Sequence, residues 1–362
     1  MELKERLAWV GLSMVKGIGP TRFRRLVTRF GSAQAAWQAS HAALRAAGLP
    51  DGVVSALLTL RHDMDLSGMW ERWQRQEIVV LTWEDGAYPQ RLKRIDSPPP
   101  VLYVRGALQD ADDWAVAVVG TRKMSAYGRR VAEDVAAVLA RHGVTVVSGL
   151  ARGVDAAAHR AALRSGGRTL AVLGSGVDVV YPPEHRRLAA EIVNQGALLS
   201  EFPPGSKPEA GNFPQRNRII AGLSLAVVVV EAGRKSGALI TASFAADQGR
   251  DVFAVPGNIY AAGCEGTNWL LGQGAAPLTR PEDVLEALDV ALLTRQQEAR
   301  RLLPTDATER RLLALLGEEP LHLDEISARS GLPVAQVTAT LTLMELKGLV
   351  RQIGGMQYVA AK

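Results

Sequence analysis

The chain has 362 residues, of which 47% are hydrophobic, and it carries a net charge of +5. No apolar run approaches the roughly 20 residues that a membrane-spanning helix needs, and the acids among the first residues argue against a signal peptide. The single cysteine, Cys264, excludes an internal disulfide framework and a cysteine-based zinc site. We therefore expect a cytoplasmic protein of two or three domains, without contact to a membrane and without a metal or other cofactor.

The charge is unevenly distributed along the chain. Residues 1–75 hold 11 Lys and Arg against 6 Asp and Glu, a balance of +5. Residues 76–303 hold 25 against 24, and residues 304–362 hold 6 against 7, so these parts balance at +1 and −1. An anion-binding site in the middle of the chain must therefore be a local cluster of cations.

The first domain is predicted to be helical and to cover residues 1–75. Its glycine pair, Gly17-Ile18-Gly19, precedes a run of arginines. This pattern is typical of SAM-like or helix-hairpin-helix modules, in which backbone amides at the glycines approach a DNA phosphate. A small helical bundle whose glycines only close a tight turn is the alternative, and the sequence leaves it open.

The second domain is predicted to cover residues 76–295 and to be of the α/β class. Apolar strands near residues 115–119, 144–147, 170–173 and 225–230 alternate with helices. This order predicts an extended, Rossmann-like, doubly wound parallel sheet covered on both faces. The spacings of the dinucleotide fingerprint and of the P-loop are both absent, which argues against a P-loop NTPase.

Small and cationic residues follow the predicted strands of this domain. Gly120-Thr121-Arg122, Ser148-Gly149 and Ser236-Gly237 each come at or near a strand end. Ligands of such sheets bind outside the carboxyl ends of the strands, where glycine amides form a concavity suited to anions. Lys207 and Lys235 supply further positive charge, so we expect an anion-binding crevice.

The stretch 212–223 is predicted to place Phe213, Arg216, Asn217 and Arg218 just ahead of an apolar helix. Arginines at a helix N-terminus meet its partial positive charge, so we expect a phosphate to compensate. The aromatic ring offers a face on which a base can stack. The alternative is that the arginines pair with neighbouring acids.

Two glutamates and one histidine are the candidates for catalysis. Glu201 and Glu231 could form an acid/base pair of a nucleotide hydrolase, but the favoured interpretation is that they hold the nearby arginines in place. His159 is predicted to be buried or to cap a helix. We therefore expect no enzymatic activity, with the hydrolase as the alternative function.

The third domain, residues 304–362, is predicted to be a winged helix with three helices and a hairpin. The second helix of its helix-turn-helix pattern covers residues 333–347. This helix carries Gln336, Thr338 and Thr340 but no basic residue before Lys347. A role in protein contacts is therefore favoured over reading duplex DNA, which remains a third hypothesis.

Taken together, these motifs resemble the DNA-processing protein A family (DprA, also called Smf) over essentially the whole chain. The matching segments are 118–122, 148–155 with His159, 174–178 with Tyr181-Pro182, 200–201, 213–223, 236–242 and 255–257. The resemblance implies a non-enzymatic, dimeric protein that binds single-stranded DNA through its Rossmann domain, protects incoming strands in natural transformation and loads the RecA recombinase.

The resemblance also implies roles for individual residues. Arg122 corresponds to an arginine that contacts DNA phosphates, and Phe213 to the aromatic that stacks on a base. Lys207 is the nearest match to a family lysine that precedes this aromatic more closely. We predict a site for single-stranded DNA formed by Gly120, Thr121, Arg122, Ser148, Gly149, Lys207, Phe213, Arg216, Asn217, Arg218, Lys235, Ser236 and Gly237.

Overall fold

The computed structural model describes residues 1–288, 307–317, 320–346 and 349–360. The chain divides into two compact units, Met1–Val284 and Leu285–Lys362. Within the described ranges, no helix is both long and apolar enough to cross a bilayer. The predicted end of the second domain at residue 295 and the start of the third at residue 304 lie outside these ranges.

The chain begins with helices only, as predicted. They are α1 (Leu3–Met14), α2 (Pro20–Phe30), α3 (Ala33–Gln38), α4 (His41–Ala46), α5 (Asp51–Asp63) and α6 (Leu66–Arg75). Short polar side chains start several of them, since Ser32, Ser40 and Asp65 each accept an amide hydrogen bond from the first turn. Gly31 ends α2 with a φ of 82°, a left-handed conformation that glycine adopts without strain.

A mixed sheet follows, which contains nine strands within the described residues. The strands are β1 (Ile78–Thr82), β2 (Val101–Gly106), β3 (Ala115–Val119), β4 (Thr145–Ser148), β5 (Thr169–Val172), β6 (Gly196–Ser200), β7 (Ala226–Val229), β8 (Asp251–Ala254) and β9 (Ala276–Pro277). Their order is β1-β2-β6-β5-β4-β3-β7-β8-β9. Strands β3 to β9 are parallel, whereas β1 and β2 pair antiparallel at one edge. The predicted Rossmann-like sheet is confirmed.

Helices connect the strands of this sheet, and a last one follows β9. They are α7 (Gln90–Lys93), α8 (Ala126–Arg141), α9 (Val154–Arg164), α10 (Arg186–Gln195), α11 (Asn212–Leu223), α12 (Gly237–Asp247), α13 (Glu265–Gly272) and α14 (Asp283–Ala287). Every residue of β3 to β7 is buried, which explains why these strands are continuous apolar runs in the sequence. The chain places β4, β5 and β6 on one side of β3 and then returns to add β7 on the other. The loops after β3 and β7 therefore diverge and open a crevice at the carboxyl edge.

One local prediction is wrong. Helix α11 starts at Asn212, so Phe213 lies in its first turn, and Arg216 and Arg218 lie inside the helix rather than ahead of it. Pro214 is compatible with this start because the first amides of a helix have no intrahelical partner. The two arginines, two positions apart, therefore lie on nearly opposite faces of the helix.

The second unit has the predicted winged-helix elements. They are α15 (Ala307–Leu315), β10 (Leu321–His322), α16 (Leu323–Ser330), α17 (Val334–Leu346), β11 (Val350–Gly354) and β12 (Gln357–Ala360), with the strands in the order β10-β12-β11. Leu312, Ile326, Val337 and Leu341 are fully buried between the three helices. Lys347, which ends the predicted recognition helix, lies outside the described residues.

An ion pair joins the first helix to the edge of the large sheet. Arg6 donates two hydrogen bonds to the Asp85 carboxylate, at 2.6 and 3.0 Å, and a third to the Val80 carbonyl at 2.6 Å. The backbone amide and hydroxyl of Thr82 also donate to Asp85, at 2.7 and 2.9 Å. Burial opposes ionisation of this carboxyl, but the hydrogen bonds from Arg6 and Thr82 outweigh it and lower the pKa of Asp85.

We expect a double-mutant cycle with Arg6→Ala and Asp85→Ala to give a coupling free energy of about 1–2 kcal/mol near neutral pH, because the pair is bidentate and partly buried. A lowered folded-state pKa stabilises the protein above the unfolded pKa of about 3.9, and this contribution is lost as pH falls through the folded value. Urea unfolding across that range measures it. The exposed Arg130–Asp134 pair is the control and should give at most about 0.5 kcal/mol. A coupling that does not change with pH would refute the assignment.

Candidate functional site

The crevice at the carboxyl edge of the sheet forms an open cavity of about 790 Å³. It lies where the loops after β3 and β7 separate, and the N-terminal turns of α11 and α12 complete its walls. Nine of the thirteen predicted site residues line it within the described part of the chain. These are Gly120, Thr121, Arg122, Phe213, Arg216, Asn217, Lys235, Ser236 and Gly237.

The loop that carries Arg122 is held in place by Glu231, which follows β7. One carboxylate oxygen of Glu231 accepts the amide and the hydroxyl of Ser125, at 3.0 and 2.8 Å, and its carbonyl accepts the Thr121 amide at 2.7 Å. On the other side, Gly153 packs so closely against the Thr121 carbonyl that a Cβ would clash there. The backbone around Arg122 is therefore held, while its side chain is exposed.

Phe213 contacts both Arg122 and Tyr181. The Arg122 guanidinium is 5.6 Å from the centre of the Phe213 ring, and the Tyr181 ring centre is also 5.6 Å away, with the two ring planes inclined at 42°. Gly174 makes room for the ring, because a Cβ at this position would lie 2.8 Å from it. Asn212 donates to the Gly174 carbonyl at 3.0 Å and fixes the start of α11. A cation and two aromatic rings thus share one edge of the crevice.

The opposite edge is the N-terminus of α12. Ser236 caps this helix by accepting the Ala238 amide at 3.3 Å, and Asn217 of α11 donates to the Gly237 carbonyl at 3.1 Å. The partial positive charge of the helix start faces the crevice, and the exposed Lys235 lies beside it. This edge is suited to an anionic group.

Arg216 forms part of the crevice floor and is only 4% exposed. It donates to the carbonyls of Gly149, at 3.0 Å, and Val172. Asp155, which is also buried, accepts the amides of Gly149 and Ala151 and attracts the guanidinium. Burial lowers the pKa of Arg216 to about 10, partly opposed by Asp155, so the side chain remains charged at neutral pH. Burial also raises the pKa of Asp155.

Arg218 points to the other side of α11, away from the crevice. It forms a bidentate ion pair with Glu201, at 2.5 and 2.7 Å, and donates to the Ser97 carbonyl at 3.0 Å. Glu201 and Glu231 are thus both engaged in hydrogen bonds inside the protein. The interpretation that these acids hold nearby arginines agrees with the contacts of Glu201, whereas Glu231 holds Ser125 of the β3 loop instead.

Ser148, Gly149 and Lys207 lie outside the main cavity. Ser148 is buried and donates its hydroxyl to Val118, whereas Gly149 lines a smaller cavity that adjoins the crevice beneath Phe213. The Gly149 amide is bound by Asp155, so it is not available to an anion from outside. Lys207 is exposed on the loop before α11, whose next residues Pro208 and Ala210 line the crevice.

Tyr181 lies at the crevice, whereas His159 does not. Tyr181 is 39% exposed beside Phe213 and was not predicted as a site residue, although it belongs to a segment that carried the family resemblance. His159 is fully buried against the Thr169 hydroxyl at 2.6 Å, and burial lowers its pKa to about 3. His159 is therefore neutral at physiological pH and does not face the crevice.

Three family descriptions match the chain in order. Residues 79–289 match the family of DNA recombination-mediator protein A, residues 3–54 match the DprA-like N-terminal HHH domain, and residues 296–356 match the DprA winged helix domain. Protein Smf of Synechocystis sp. is 38% identical and aligns with 99% of each chain. Protein Smf of Escherichia coli is 43% identical over 82% of this chain and 80% of its own length.

Two solved structures are similar as well. DNA processing protein A of Streptococcus pneumoniae has 33% sequence identity and a TM-score of 0.69, covering 79% of this chain and 98% of its own. DNA processing protein A of Helicobacter pylori, whose structure concerns its single-stranded DNA binding mode, has 30% identity and a TM-score of 0.53, covering 58% of this chain and 95% of its own. The recognition from sequence motifs is confirmed, and the chain belongs to the DNA recombination-mediator protein A family, that of DprA and Smf.

Proposed function

We propose that this protein binds single-stranded DNA in the crevice at the carboxyl edge of its sheet, without sequence preference and without turnover. The observation that carries the proposal is the placement of Arg122 and Lys235 on opposite edges of an open crevice, with Phe213 and Tyr181 beside Arg122. Phosphates require cations and amides, whereas unpaired bases require flat apolar faces, and this crevice offers both.

The two cations at the crevice edges, Arg122 and Lys235, differ from the neighbouring arginines in exposure and in ion pairing. Among the described residues, neither Arg122 nor Lys235 takes part in a salt bridge, and both side chains are exposed. Arg152 pairs with Glu184, and Arg218 pairs with Glu201. We therefore assign phosphate contacts to Arg122 and Lys235, and a supporting role in the crevice wall to Arg216 and Arg218.

The position of Arg122 over Phe213 suggests how binding begins. The guanidinium covers one face of the ring, so a phosphate that draws Arg122 outward exposes this face to a base. The backbone of the loop does not need to move, because Glu231 and Gly153 hold it on both sides. Contact with phosphate and stacking of a base are therefore coupled at this point.

We further propose the biological role that the family resemblance implies. The solved structure of the Helicobacter pylori relative concerns its single-stranded DNA binding mode, and the family is described as that of a recombination-mediator protein. On this basis the protein acts in the cytoplasm as a homodimer, protects incoming single strands during natural transformation and loads the RecA recombinase onto them. Association with RecA and the homodimer are proposals without an assigned surface.

A nucleotide hydrolase is the alternative function, and the arrangement of acids does not favour it. Asp155 is the carboxylate among the described lining residues, and it is buried and bound to two backbone amides. Glu201 and Glu231 are engaged elsewhere. Incubation with mononucleotides and divalent metals tests this alternative directly, and we expect no turnover.

Reading of duplex DNA by the winged helix is not favoured either. The described residues of α17 include no Lys or Arg, and the hydroxyls of Thr338 and Thr340 donate to carbonyls of their own helix at 2.8 Å. Glu345, the charged residue of this helix, accepts the Gln352 amide at 3.0 Å. A helix with no cation among its described residues is poorly suited to the phosphates and guanine edges of the major groove.

We expect Arg122→Ala to weaken binding to all single strands and to make the log–log salt dependence shallower by about 0.7, the value for one lost phosphate contact. Fluorescence anisotropy with labelled oligonucleotides at several salt concentrations measures both quantities. Arg141→Ala at the far end of α8 removes the same charge from an exposed position and serves as the control. Equal slopes for the two variants would refute a phosphate contact by Arg122.

Phe213→Ala should lower the affinity for single strands without changing the salt slope. Loss of one stacked base weakens binding by about 1–3 kcal/mol but leaves the salt slope unchanged, because no charge is removed. Phe213→Tyr preserves the ring and is expected to retain most of the affinity. The double variant with Arg122→Ala should lose less than the sum of the two single losses, since the side chains are in contact. Strict additivity would argue against the coupling described above.

Arg216→Met is expected to reduce stability rather than to remove a phosphate contact. The change leaves the buried Asp155 without its nearby charge and costs about 3–5 kcal/mol in the free energy of unfolding. Urea unfolding measures this loss, and the salt slope of DNA binding by the folded variant should equal that of the wild type. Unchanged stability together with a shallower slope would instead make Arg216 a direct contact.

A further inference from the structure

Helix α2 carries positive charge on its outer side. Phe23 and Leu26 are buried on the inner side, whereas Arg24, Arg25 and Arg29 are exposed, and the helix contains no acid. Arg25 and Arg29 are four residues apart and therefore neighbours, a like-charged spacing that destabilises an isolated helix. The positive balance of the first 75 residues is thus concentrated on one helix.

Acidic side chains do not balance this charge. None of the salt bridges between described residues involves an arginine of α2. Arg22 donates to the Gly17 carbonyl at 2.7 Å, and the guanidinium of Arg24 lies 5.3 Å from the centre of the Trp83 ring. Arg25 and Arg29 are exposed and line an open groove.

The groove has a volume of about 630 Å³ and lies between α2 and the loop after α7. One wall consists of α2 side chains, with two hydroxyls among the guanidinium groups, and the other wall carries an acid. The lining includes Thr21, Arg24, Arg25, Thr28, Arg29 and Asp96. Cations and hydroxyl donors on one wall match the oxygens of a phosphate backbone.

The glycine hairpin before α2 is a separate feature. Ile18 donates its amide to the Val15 carbonyl at 3.0 Å, and a Cβ at Gly17 would lie 2.9 Å from Val53 of α5. The hairpin therefore packs against its own domain. The surface suited to anions is the arginine side of α2.

Helix α11 links this groove to the crevice. Phe213 lies at its start, and Arg218, five residues or about 8 Å further along the axis, donates to the Ser97 carbonyl. Ser97 follows Asp96 of the groove wall directly. The groove wall therefore lies on the other side of α11 from the crevice, and a strand that leaves the crevice near Phe213 would pass around this helix to reach the groove.

We propose that the α2 groove binds the phosphate backbone of the same single strand beyond the portion held in the crevice. Trp83 is buried beneath Arg24, so the groove offers phosphate contacts without an exposed face for base stacking. This inference rests on the proposed function. It extends the binding site from the sheet to the N-terminal helices and accounts for their excess of positive charge.

The test compares two lengths of oligothymidylate, about 6 nucleotides to occupy the crevice and about 30 to reach further. We expect the double variant Arg25→Ala/Arg29→Ala to bind the long strand roughly tenfold more weakly, with a salt slope shallower by about 1.4, and to bind the short strand like the wild type. Asp96→Asn removes the acid of the opposite wall and should strengthen binding of the long strand. It also provides a second test that leaves α2 unchanged.

The control is Arg72→Ala/Arg75→Ala, which removes two exposed charges from α6 of the same domain. An unchanged salt slope for the long strand, or an equal loss of affinity in the control variant, would overturn the proposal that the groove binds the strand. A loss confined to duplex DNA would show that the groove takes a double strand, and would overturn the proposal as stated. If Arg122→Ala leaves binding of the short strand intact, the crevice assignment fails independently of the groove.

Discussion

The site depends on the hydrogen bonds of Glu231. This residue follows β7, the strand that the chain adds on the far side of β3, and its carboxylate and carbonyl accept hydrogen bonds from Ser125 and Thr121 of the β3 loop. The two loops diverge at this point of the sheet, and without a connection between them the crevice would have no fixed width. Gly128 and Gly263 provide the space for the carboxylate, because a Cβ at either position would collide with it. A buried acid thus sets the position of an exposed cation, Arg122.

The arginines near the crevice divide into two classes according to the cost of burying a charge. Arg216 and Arg218 are enclosed, and each has an acid and backbone carbonyls around it, because a buried guanidinium without such partners would be strongly unfavourable. Arg122 remains in water, where its charge is available to a ligand. The internal arginines shape the walls, and the external cations attract the strand. The same residue type therefore serves structure and binding in one site.

Much of this could be predicted from the sequence, for identifiable physical reasons. The strands from β3 to β7 are buried on both faces, so each is a continuous apolar run that stands out between helices. Their order along the chain then brings Arg122, Phe213 and Lys235 to the same edge. The predicted start of α11 is too late, because the helix also includes the polar residues before its apolar run and Pro214, which is accepted in a first turn. Tyr181 is absent from the predicted site because its place at the crevice depends on packing between distant segments, including its contact with Phe213.

The orientation of Arg216 and Arg218 was beyond prediction for a related reason. A helix turns by about 100° per residue, so residues two positions apart on α11 lie on nearly opposite faces. Which face meets which partner is determined by the sheet and by the loop after α7. Arg216 reaches the carbonyls at the ends of β4 and β5, whereas Arg218 reaches Glu201 and Ser97. The hydrogen bond from Arg218 to Ser97 gives α11 a second role. Its first turn forms the crevice, and its middle braces the loop that walls the α2 groove, so one helix positions both surfaces on which a single strand would lie.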